Sequence, residues 1–272
     1  MNSSEFPNLS KPSFVVDRRA GVIHSPVLDG LVWLSHGVTT RLFAGPEIAT
    51  FDLVADVRRR LVPGGARIFC CEQVHGNVIE VVRSSERYAA TDRARTRGPV
   101  VQLLGTDGLI VSDPALPVAI RTADCVPLLL VDARGRRVAA IHAGWRGSFD
   151  RISERAVAAM ARLGSDPADL VAWMGPAIGR DSYEVGPELS ERFRAAFPEY
   201  DGIVADNHLD LILLNAYQLR VAGVPGPQIH AANCCTARHL DLCYSYRAER
   251  DRTGRMIAHA MILPPEPKND SK

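Results

Sequence analysis

A cysteine and two histidines in this chain are suited to bind a metal ion or to carry out nucleophilic catalysis. Cys125 stands in the stretch RTADCVP, His142 in IHAGWRG and His75 in EQVHGN. Cysteine and histidine are ligands that suit zinc, and copper is the second possibility. Three protein ligands leave one coordination position open, which distinguishes catalytic zinc sites from structural ones. The same residues also suit a cysteine hydrolase, with Cys125 as the nucleophile and His142 as the base.

The segment VPLLLVDARGRRVAAIHAG predicts a β-hairpin that brings two of these residues together. The Arg134-Gly135 pair suits the turn, because glycine readily adopts positive φ. A two- or four-residue turn there places Cys125 opposite Gly144. His142 then lies on the same face of the sheet as Cys125, with Cβ atoms about 7–8 Å apart or less. A three-residue turn would put them on opposite faces, and no pattern in the sequence brings His75 to this pair.

Strands with helices between them must position these residues. Apolar runs predict strands over 66–74, 78–83, 107–112, 117–121, 126–132, 137–143 and 170–174. Helices are predicted over 149–163, 187–197 and 210–222. Ser148 is expected to cap the first helix, while Gly164 and Gly223 are expected to end the first and third. This succession favours a mixed α+β domain over regular βαβ winding.

The composition is that of a globular protein. The chain has 272 residues, of which 46% are hydrophobic and 23% charged, and its net charge is +1. Since no charge is in excess, we expect no nucleic acid partner and no acidic membrane surface. No apolar run approaches the roughly 18 residues of a transmembrane helix, and the N-terminus lacks the apolar region of a signal peptide. We therefore expect a cytoplasmic protein.

The remaining polar segments and cysteines indicate no further catalytic or binding site. Residues 1–20 and 264–272 are expected to be flexible ends of a domain over 21–263, and residues 84–99 a surface loop. None of the six cysteines forms a CxxC motif or a secreted disulfide framework. We expect Cys70 and Cys71 to be buried in a strand.

Several stretches together resemble one known family. They are EQVHGN, GTDGLIVS, RTADCVPLLLVD, AAIHAGWRGS, MGPAIGRDSYEVG, LDLILLNAYQLRVAGV and YSYRAERDRTGR, and they span about residues 72–263. In these the chain is similar to the YfiH-like laccase-domain proteins, also called polyphenol oxidases or peptidoglycan editing factors. The N-terminal stretch LSHGVTTR resembles the same family. The resemblance implies one α+β domain of layered mixed β-sheets flanked by helices.

The resemblance also implies a metal site. Its ligands carry over onto His75, Cys125 and His142, which would form the catalytic centre. The glycines after His142 would let backbone and substrate approach closely, and Trp145 is expected to pack in the core.

Polar residues near these ligands are candidates for binding substrate and moving protons. The resemblance implies that Arg41 and Arg247 lie near the pocket, and Arg146 is a further candidate for contacting an anion. These arginines would hold phosphate. A carboxylate, Asp124 or Asp107, would transfer protons.

The implied function is purine nucleoside processing by a monomer or homodimer. It comprises phosphorolysis of adenosine, inosine, guanosine or methylthioadenosine, together with adenosine deamination. Zinc fits the deamination, because it generates hydroxide at neutral pH. The usual deaminase signature H-x-E…P-C-x-x-C is absent.

Three alternatives remain open. One is copper-dependent oxidation of phenols, although the chain has eight histidines and no His-x-His pair. The others are a cysteine hydrolase acting on a peptidoglycan precursor and a non-catalytic cell-envelope module. The chain departs from the family pattern in LFAGPEIATFDLVAD after TTR, and in Ala248, where the family often has a second arginine. The first segment borders the expected pocket, which leaves the preferred nucleoside open.

Overall fold

The computed structural model describes residues 9, 11–62, 67–83 and 92–265. Its strands are β1 Val15–Asp17, β2 Val22–His24, β3 Leu34–Thr39, β4 Ile68–Cys71, β5 Ile79–Val82, β6 Ala94–Arg97, β7 Val100–Leu103, β8 Gly108–Val111, β9 Val118–Thr122, β10 Val126–Asp132, β11 Arg137–Ala143, β12 Leu170–Met174, β13 Val204–Ala205, β14 His208–Leu209, β15 Ile229–Ala231 and β16 Met256–Ile262. Its α-helices are α1 Thr50–Leu61, α2 Trp145–Phe149, α3 Ile152–Arg162, α4 Pro187–Ala196, α5 Leu211–Val221 and α6 Tyr246–Glu249. Within these residues, no helix is long and apolar enough to cross a membrane.

Two mixed sheets form the centre of the molecule. The first has eight strands in the order β1-β2-β3-β16-β9-β4-β7-β6, and the second has six in the order β15-β12-β10-β11-β8-β5. A core between the sheets contains Phe69 and Ile120 from the first and Leu129 and Ala140 from the second. Helix α1 packs on the outer face of the first sheet, and α3 and α5 on that of the second. The predicted layered arrangement of mixed sheets and helices is confirmed.

The β10–β11 hairpin lies in the middle of the second sheet. Val126 pairs with Ala143 and Asp132 with Arg137, so residues 133–136 form a four-residue turn. This is the predicted register, and it places Cys125 opposite Gly144. Every residue of β10 is buried, because β11 and β12 flank it and both faces of the sheet are covered.

The helices confirm part of the prediction. Helices α4 and α5 lie within one residue of their predicted limits, and Gly164 ends α3 at a φ of +92°. The predicted helix over 149–163 is instead two helices, since Arg151 between them is left-handed with φ +58°. Ser148 does not cap α3. It is buried, and its hydroxyl accepts a hydrogen bond of 2.9 Å from Asn215 Nδ2.

Segments predicted as irregular contain regular structure. Val15–Asp17, in the segment expected to be flexible, pairs with β2, and Ala94–Arg97, in the expected loop, pairs with β7. Part of LFAGPEIATFDLVAD forms α1, whose Leu53, Val54 and Val57 are buried. Residues 1–8, 84–91 and 266–272 lie outside the described part. The strands Val15–Asp17 and Ala94–Arg97 have only three and four residues, which is too short for a clear alternation of polar and apolar positions.

Two buried histidines make stability depend on pH. Burial lowers the pKa of His36 to about 4 and that of His259 to about 3. An unfolded histidine takes up a proton near pH 6.5, so below that pH the unfolded chain binds more protons and stability falls. We expect a loss of about 2 kcal/mol per histidine between pH 7.5 and 5, at about 1.36 kcal/mol per unit. Urea unfolding at the two pH values measures it.

The His259→Gln variant is expected to lose about half of this pH dependence. His239 is exposed and provides a matched control, so His239→Gln should behave as the unmodified chain does. Equal pH dependence in the His259 variant and the unmodified chain would contradict the assignment.

Candidate active site

The structure brings His75, Cys125 and His142 together. One nitrogen of each histidine and the cysteine Sγ all lie within 4.8 Å of one another. His142 is buried, Cys125 is half-buried and His75 is exposed. The two imidazole rings meet edge to face, with centroids 4.9 Å apart. We call these three residues the ligand cluster.

Each member of the ligand cluster is held at the end of a strand. His142 is the penultimate residue of β11, Cys125 immediately precedes β10, and His75 follows β4. The flanking backbone is left-handed at Gln73, His75 and Asp124, with φ of +53°, +61° and +94°. Such conformations are unfavourable for residues other than glycine, and they persist where the surrounding contacts enforce them. They end β4 at residue 71, earlier than predicted, and aim His75 at Cys125.

Asp107 organises the cluster from behind. It is fully buried, and its Oδ1 accepts hydrogen bonds from His142 Nδ1 at 2.8 Å and from the backbone N–H of His75 at 3.0 Å. Its Oδ2 accepts from the backbone N–H groups of Gly76 at 2.8 Å and Val74 at 3.2 Å. The carboxylate therefore leaves Nε2 of His142 to face the cluster and holds the loop that carries His75. Asp107 does not line the cavity, and its contact with substrate stays a prediction.

Contacts within the cluster favour the thiolate form of Cys125. Burial raises the pKa of the Cys125 thiol, but His142 and His75 lower it by a larger amount, so that it lies at about 6. Burial lowers the pKa of His142, but the Cys125 thiolate and Asp107 raise it, to about 9. Burial also raises the pKa of Asp107, although its hydrogen bonds with His142 and backbone N–H groups bring it below its usual value. The thiolate, which is the form that binds metals and attacks electrophiles, is thus stabilised.

Two glycines after His142 make room for the cluster. A Cβ on Gly144 would lie 3.0 Å from His75 Cδ2 and 3.1 Å from Cys125 Sγ. A Cβ on Gly147 would lie 2.6 Å from the carbonyl oxygen of Gly76. The predicted close approach of backbone is therefore present, and it brings together the hairpin and the loop that carries His75.

The cluster opens into a cavity of about 490 Å³ that is lined by cations and aromatic rings. Five arginines line it: Arg121, Arg146, Arg247, Arg250 and Arg255. Three aromatic side chains also line it: Trp145, Tyr183 and Tyr246. Trp145 additionally packs against the core, as expected. The cavity therefore combines a positive potential with apolar surface.

Arg146 and Arg247, the two of these arginines that the sequence indicated, lie over aromatic rings. The guanidinium carbon of Arg146 lies 4.4 Å from the centroid of the Trp145 ring, and that of Arg247 lies 5.1 Å from the centroid of Tyr183. In the described part of the chain, neither guanidinium pairs with a carboxylate. The structure therefore places both predicted arginines in the cavity wall with their charges unneutralised.

Arg121, Arg250 and Arg255 were missed in the sequence. Arg121 donates to Glu72 O at 2.7 Å and to Thr50 Oγ1 at 3.3 Å. It therefore forms part of the cavity wall and joins it to the segment LFAGPEIATFDLVAD. The signal was present, since Arg121 begins the RTADC motif and Arg250 and Arg255 lie within YSYRAERDRTGR.

Arg41 lies elsewhere than predicted. Its Nη2 is 2.6 Å from Glu249 Oε1 and donates to Cys243 O at 3.2 Å, and its guanidinium carbon lies 4.3 Å from the Tyr244 ring centroid. It is absent from the cavity lining, and it supports α6 through Glu249 at the end of that helix. Its contacts are therefore structural ones, and its role in substrate binding stays a prediction.

Asp124 lines the cavity, but both of its carboxylate oxygens are occupied. Oδ1 accepts from Thr236 Oγ1 and Oδ2 from the backbone N–H of Arg247, each at 2.6 Å. These contacts differ from those of the free proton carrier that the sequence suggested.

Residues 52–263 match a family model described as multi-copper polyphenol oxidoreductase laccase. The chain belongs to this laccase-like family. The match confirms the resemblance inferred from the sequence, and it covers every member of the ligand cluster and every arginine of the cavity.

Proteins of known name are similar to this chain. It is 33% identical over 218 residues to the purine nucleoside phosphorylase YfiH of Escherichia coli (strain K12), covering 78% of this chain and 82% of that protein. It is 36% identical over 177 residues to the adenosine deaminase RL5 of an unknown prokaryotic organism, covering 63% and 64%. The crystal structure of YlmD from Geobacillus stearothermophilus has a TM-score of 0.78 at 29% identity, covering 93% of this chain and 100% of that one. Alignments with relatives such as these span from 59% to 82% of the lengths of those proteins.

Proposed function

We propose that this protein is a zinc-dependent purine nucleoside phosphorylase with adenosine deaminase activity. Its substrates would be adenosine, inosine, guanosine and methylthioadenosine, with phosphate as the co-substrate. The observation that carries the proposal is one cavity that contains both the Cys/His/His cluster and five arginines, none of which pairs with a carboxylate in the described part of the chain. Relatives named as purine nucleoside phosphorylases and an adenosine deaminase support it.

The ligand cluster fits zinc. A thiolate and two imidazoles are preferred ligands of this ion, and their donor atoms are close enough to share one ion. The bond from His142 Nδ1 to Asp107 is the outer contact that metal-bound histidines usually make. The ion would supply Lewis acidity, which activates water at neutral pH. The three residues that would hold the ion line the cavity, where a substrate can reach them.

In phosphorolysis, an oxygen of phosphate forms a bond to C1′ of the nucleoside as the bond from C1′ to N9 of the purine breaks. The purine leaves with the electron pair and takes up a proton, and the sugar leaves as ribose-1-phosphate. Arg146 and Arg247 would hold the phosphate by charge-assisted hydrogen bonds. Trp145, Tyr183 and Tyr246 offer apolar surface to the base. In deamination, water replaces the amino group at C6 and ammonia leaves.

Copper-dependent oxidation of phenols is the second candidate, and the description of the family favours it. A multi-copper oxidase needs ligands for several ions. Among the residues that the structure describes, one group of three or more His, Cys, Asp or Glu side chains is placed to hold a metal ion. This single group favours the phosphorylase.

A nucleoside assay combined with metal analysis tests the proposal. Protein with a measured metal content is incubated with inosine or adenosine, with and without phosphate, and the products are separated by chromatography. We expect about one zinc per chain, phosphate-dependent release of free base and ribose-1-phosphate, and inosine from adenosine. Oxidation of catechols at a rate that follows copper content, without nucleoside cleavage, would establish the oxidase instead.

Removing a cavity arginine should weaken phosphate binding selectively. We expect Arg146→Ala to raise the KM for phosphate by roughly 10- to 150-fold, the effect of losing a charge-assisted hydrogen bond. The KM for inosine should change little. Arg134 is 82% exposed in the hairpin turn, so Arg134→Ala is the matched loss of charge outside the cavity. A phosphate KM that is equal in both variants would exclude Arg146 from the phosphate site.

A further inference from the structure

The contacts of Asp124 join the ligand cluster to the arginine side of the cavity. Asp124 immediately precedes Cys125, its φ is +94°, and it is 9% exposed. Its carbonyl oxygen accepts a hydrogen bond of 2.9 Å from the backbone N–H of Ile178. The residue is therefore held on both its backbone and its side chain, within one residue of a cluster member.

The side chain of Asp124 holds the start of α6. Its Oδ2 accepts from the backbone N–H of Arg247, the second residue of that helix, at 2.6 Å. The first N–H groups of a helix have no partner within the helix, so an external acceptor determines where this end lies. Ser245, the N-cap residue of α6, satisfies another of these N–H groups by accepting from Ala248 at 3.2 Å. With four residues, α6 has little stability of its own and depends on these contacts.

Two further contacts hold Asp124 and α6 in place. Thr236 donates to Oδ1 of Asp124 at 2.6 Å, which fixes the plane of the carboxylate. Arg41 pairs at 2.6 Å with Glu249, the last residue of α6, whose carboxylate also accepts from the backbone N–H of Ser245 at 3.2 Å. Of these two anchors, the one at Asp124 is continuous with the ligand cluster through Cys125. Asp124 thus joins the backbone of Arg247 to the ligand cluster.

We propose that Asp124 is a positioning residue that sets Arg247 against the ligand cluster, and that it carries no proton in the reaction. This inference rests on the proposed function, since it assumes that Arg247 binds phosphate. Both oxygens already accept short hydrogen bonds, and the side chain is almost completely covered. A proton carrier needs an oxygen that reaches substrate or water, whereas a positioning residue needs only its acceptors.

Two substitutions distinguish these roles. Glycine at position 124 tolerates the left-handed backbone and removes the carboxylate. Asparagine also tolerates it, and its carboxamide oxygen can still accept from Arg247 while its amide donates to Thr236 Oγ1. We expect Asp124→Gly to raise the KM for phosphate at least about tenfold and Asp124→Asn to raise it less than about threefold. At saturating zinc, metal content and the KM for inosine should remain as in the unmodified chain.

A double-mutant cycle with Arg247→Ala tests whether Asp124 acts through Arg247. In the Arg247→Ala background, Asp124→Gly should raise the phosphate KM by less than about twofold more, because the group it positions is gone. Asp132 is the matched control: it is a buried carboxylate that accepts from the backbone N–H of Gly135 at 2.6 Å, far along the sheet from the cavity. Asp132→Asn should lower stability without changing either KM.

Hydrogen exchange tests the positioning without any catalytic assay. We expect the Arg247 amide to exchange at least about tenfold faster in Asp124→Gly, as it does when a protecting bond is lost. If that variant fails to fold, Thr236→Val removes the hydrogen bond to Oδ1 of Asp124. We expect it to raise the exchange rate of the Arg247 amide and the KM for phosphate as well. If the unmodified chain does not cleave inosine with phosphate, the proposed function fails, and the exchange rate alone decides the role of Asp124.

Two results would overturn the inference. One is an Asp124→Asn variant as inactive as Asp124→Gly, since this would show that an ionisable carboxyl group is required. The other is an Arg247 amide whose exchange rate is unchanged in Asp124→Gly.

Discussion

Replacing Cys125 with alanine is expected to abolish zinc binding and nucleoside turnover while the chain stays folded. The thiolate is the one negatively charged member of the ligand cluster, and its loss leaves two imidazoles. Loss of an outer partner of a metal ligand already costs about 10- to 100-fold in affinity, so loss of the ligand itself should cost more than about 100-fold. The fold should persist because the cluster lies at strand ends, outside the three apolar clusters of the core. Elemental analysis after stripping and reconstitution, with thermal unfolding, measures both effects.

Cys235→Ala provides the matched control. Cys235 is half-buried like Cys125, but it lines a separate cavity with Gly179 and Arg180. This variant should bind one zinc and retain activity. A full complement of zinc in a variant with alanine at His75, Cys125 and His142 together would show that the metal binds elsewhere.

A single methyl group at position 144 is expected to disable the site. In Gly144→Ala the new Cβ would lie 3.0 Å from His75 Cδ2 and 3.1 Å from Cys125 Sγ, so both side chains must move. Displacements well under 1 Å lower catalysis markedly, and we expect turnover to fall by about 10- to 100-fold and zinc affinity to fall with it. Turnover at saturating zinc and the zinc dissociation constant are the quantities to measure.

Gly45→Ala separates crowding from a general effect of alanine. No atom lies within 4 Å of a Cβ built on Gly45, so this variant should match the unmodified chain. Unaltered zinc affinity in Gly144→Ala would mean that the cluster tolerates a wider arrangement than the one described.

The sequence by itself determined the local part of the site. A turn at Arg134-Gly135 and the alternation of strand faces were enough to place Cys125 and His142 on one face, because hairpin register depends on residues close in the chain. The strands of this hairpin and the following β12 are also as predicted, since they are long, apolar and flanked by turn residues. The limits of α4 and α5 followed from the proline that begins one and the glycine that follows the other.

Only the tertiary structure decided which distant residues join that hairpin. His75 reaches it because Asp107, on another loop, binds both His142 and the backbone of residues 74–76. Arg121 and Arg255 become neighbours because β9 pairs with β16, a contact between segments more than a hundred residues apart. Arg41 was placed in the pocket by resemblance, yet Glu249 draws it into an ion pair behind α6. Such contacts depend on the order of strands across a sheet and on which charges find partners, and neither leaves a periodic pattern in the local sequence.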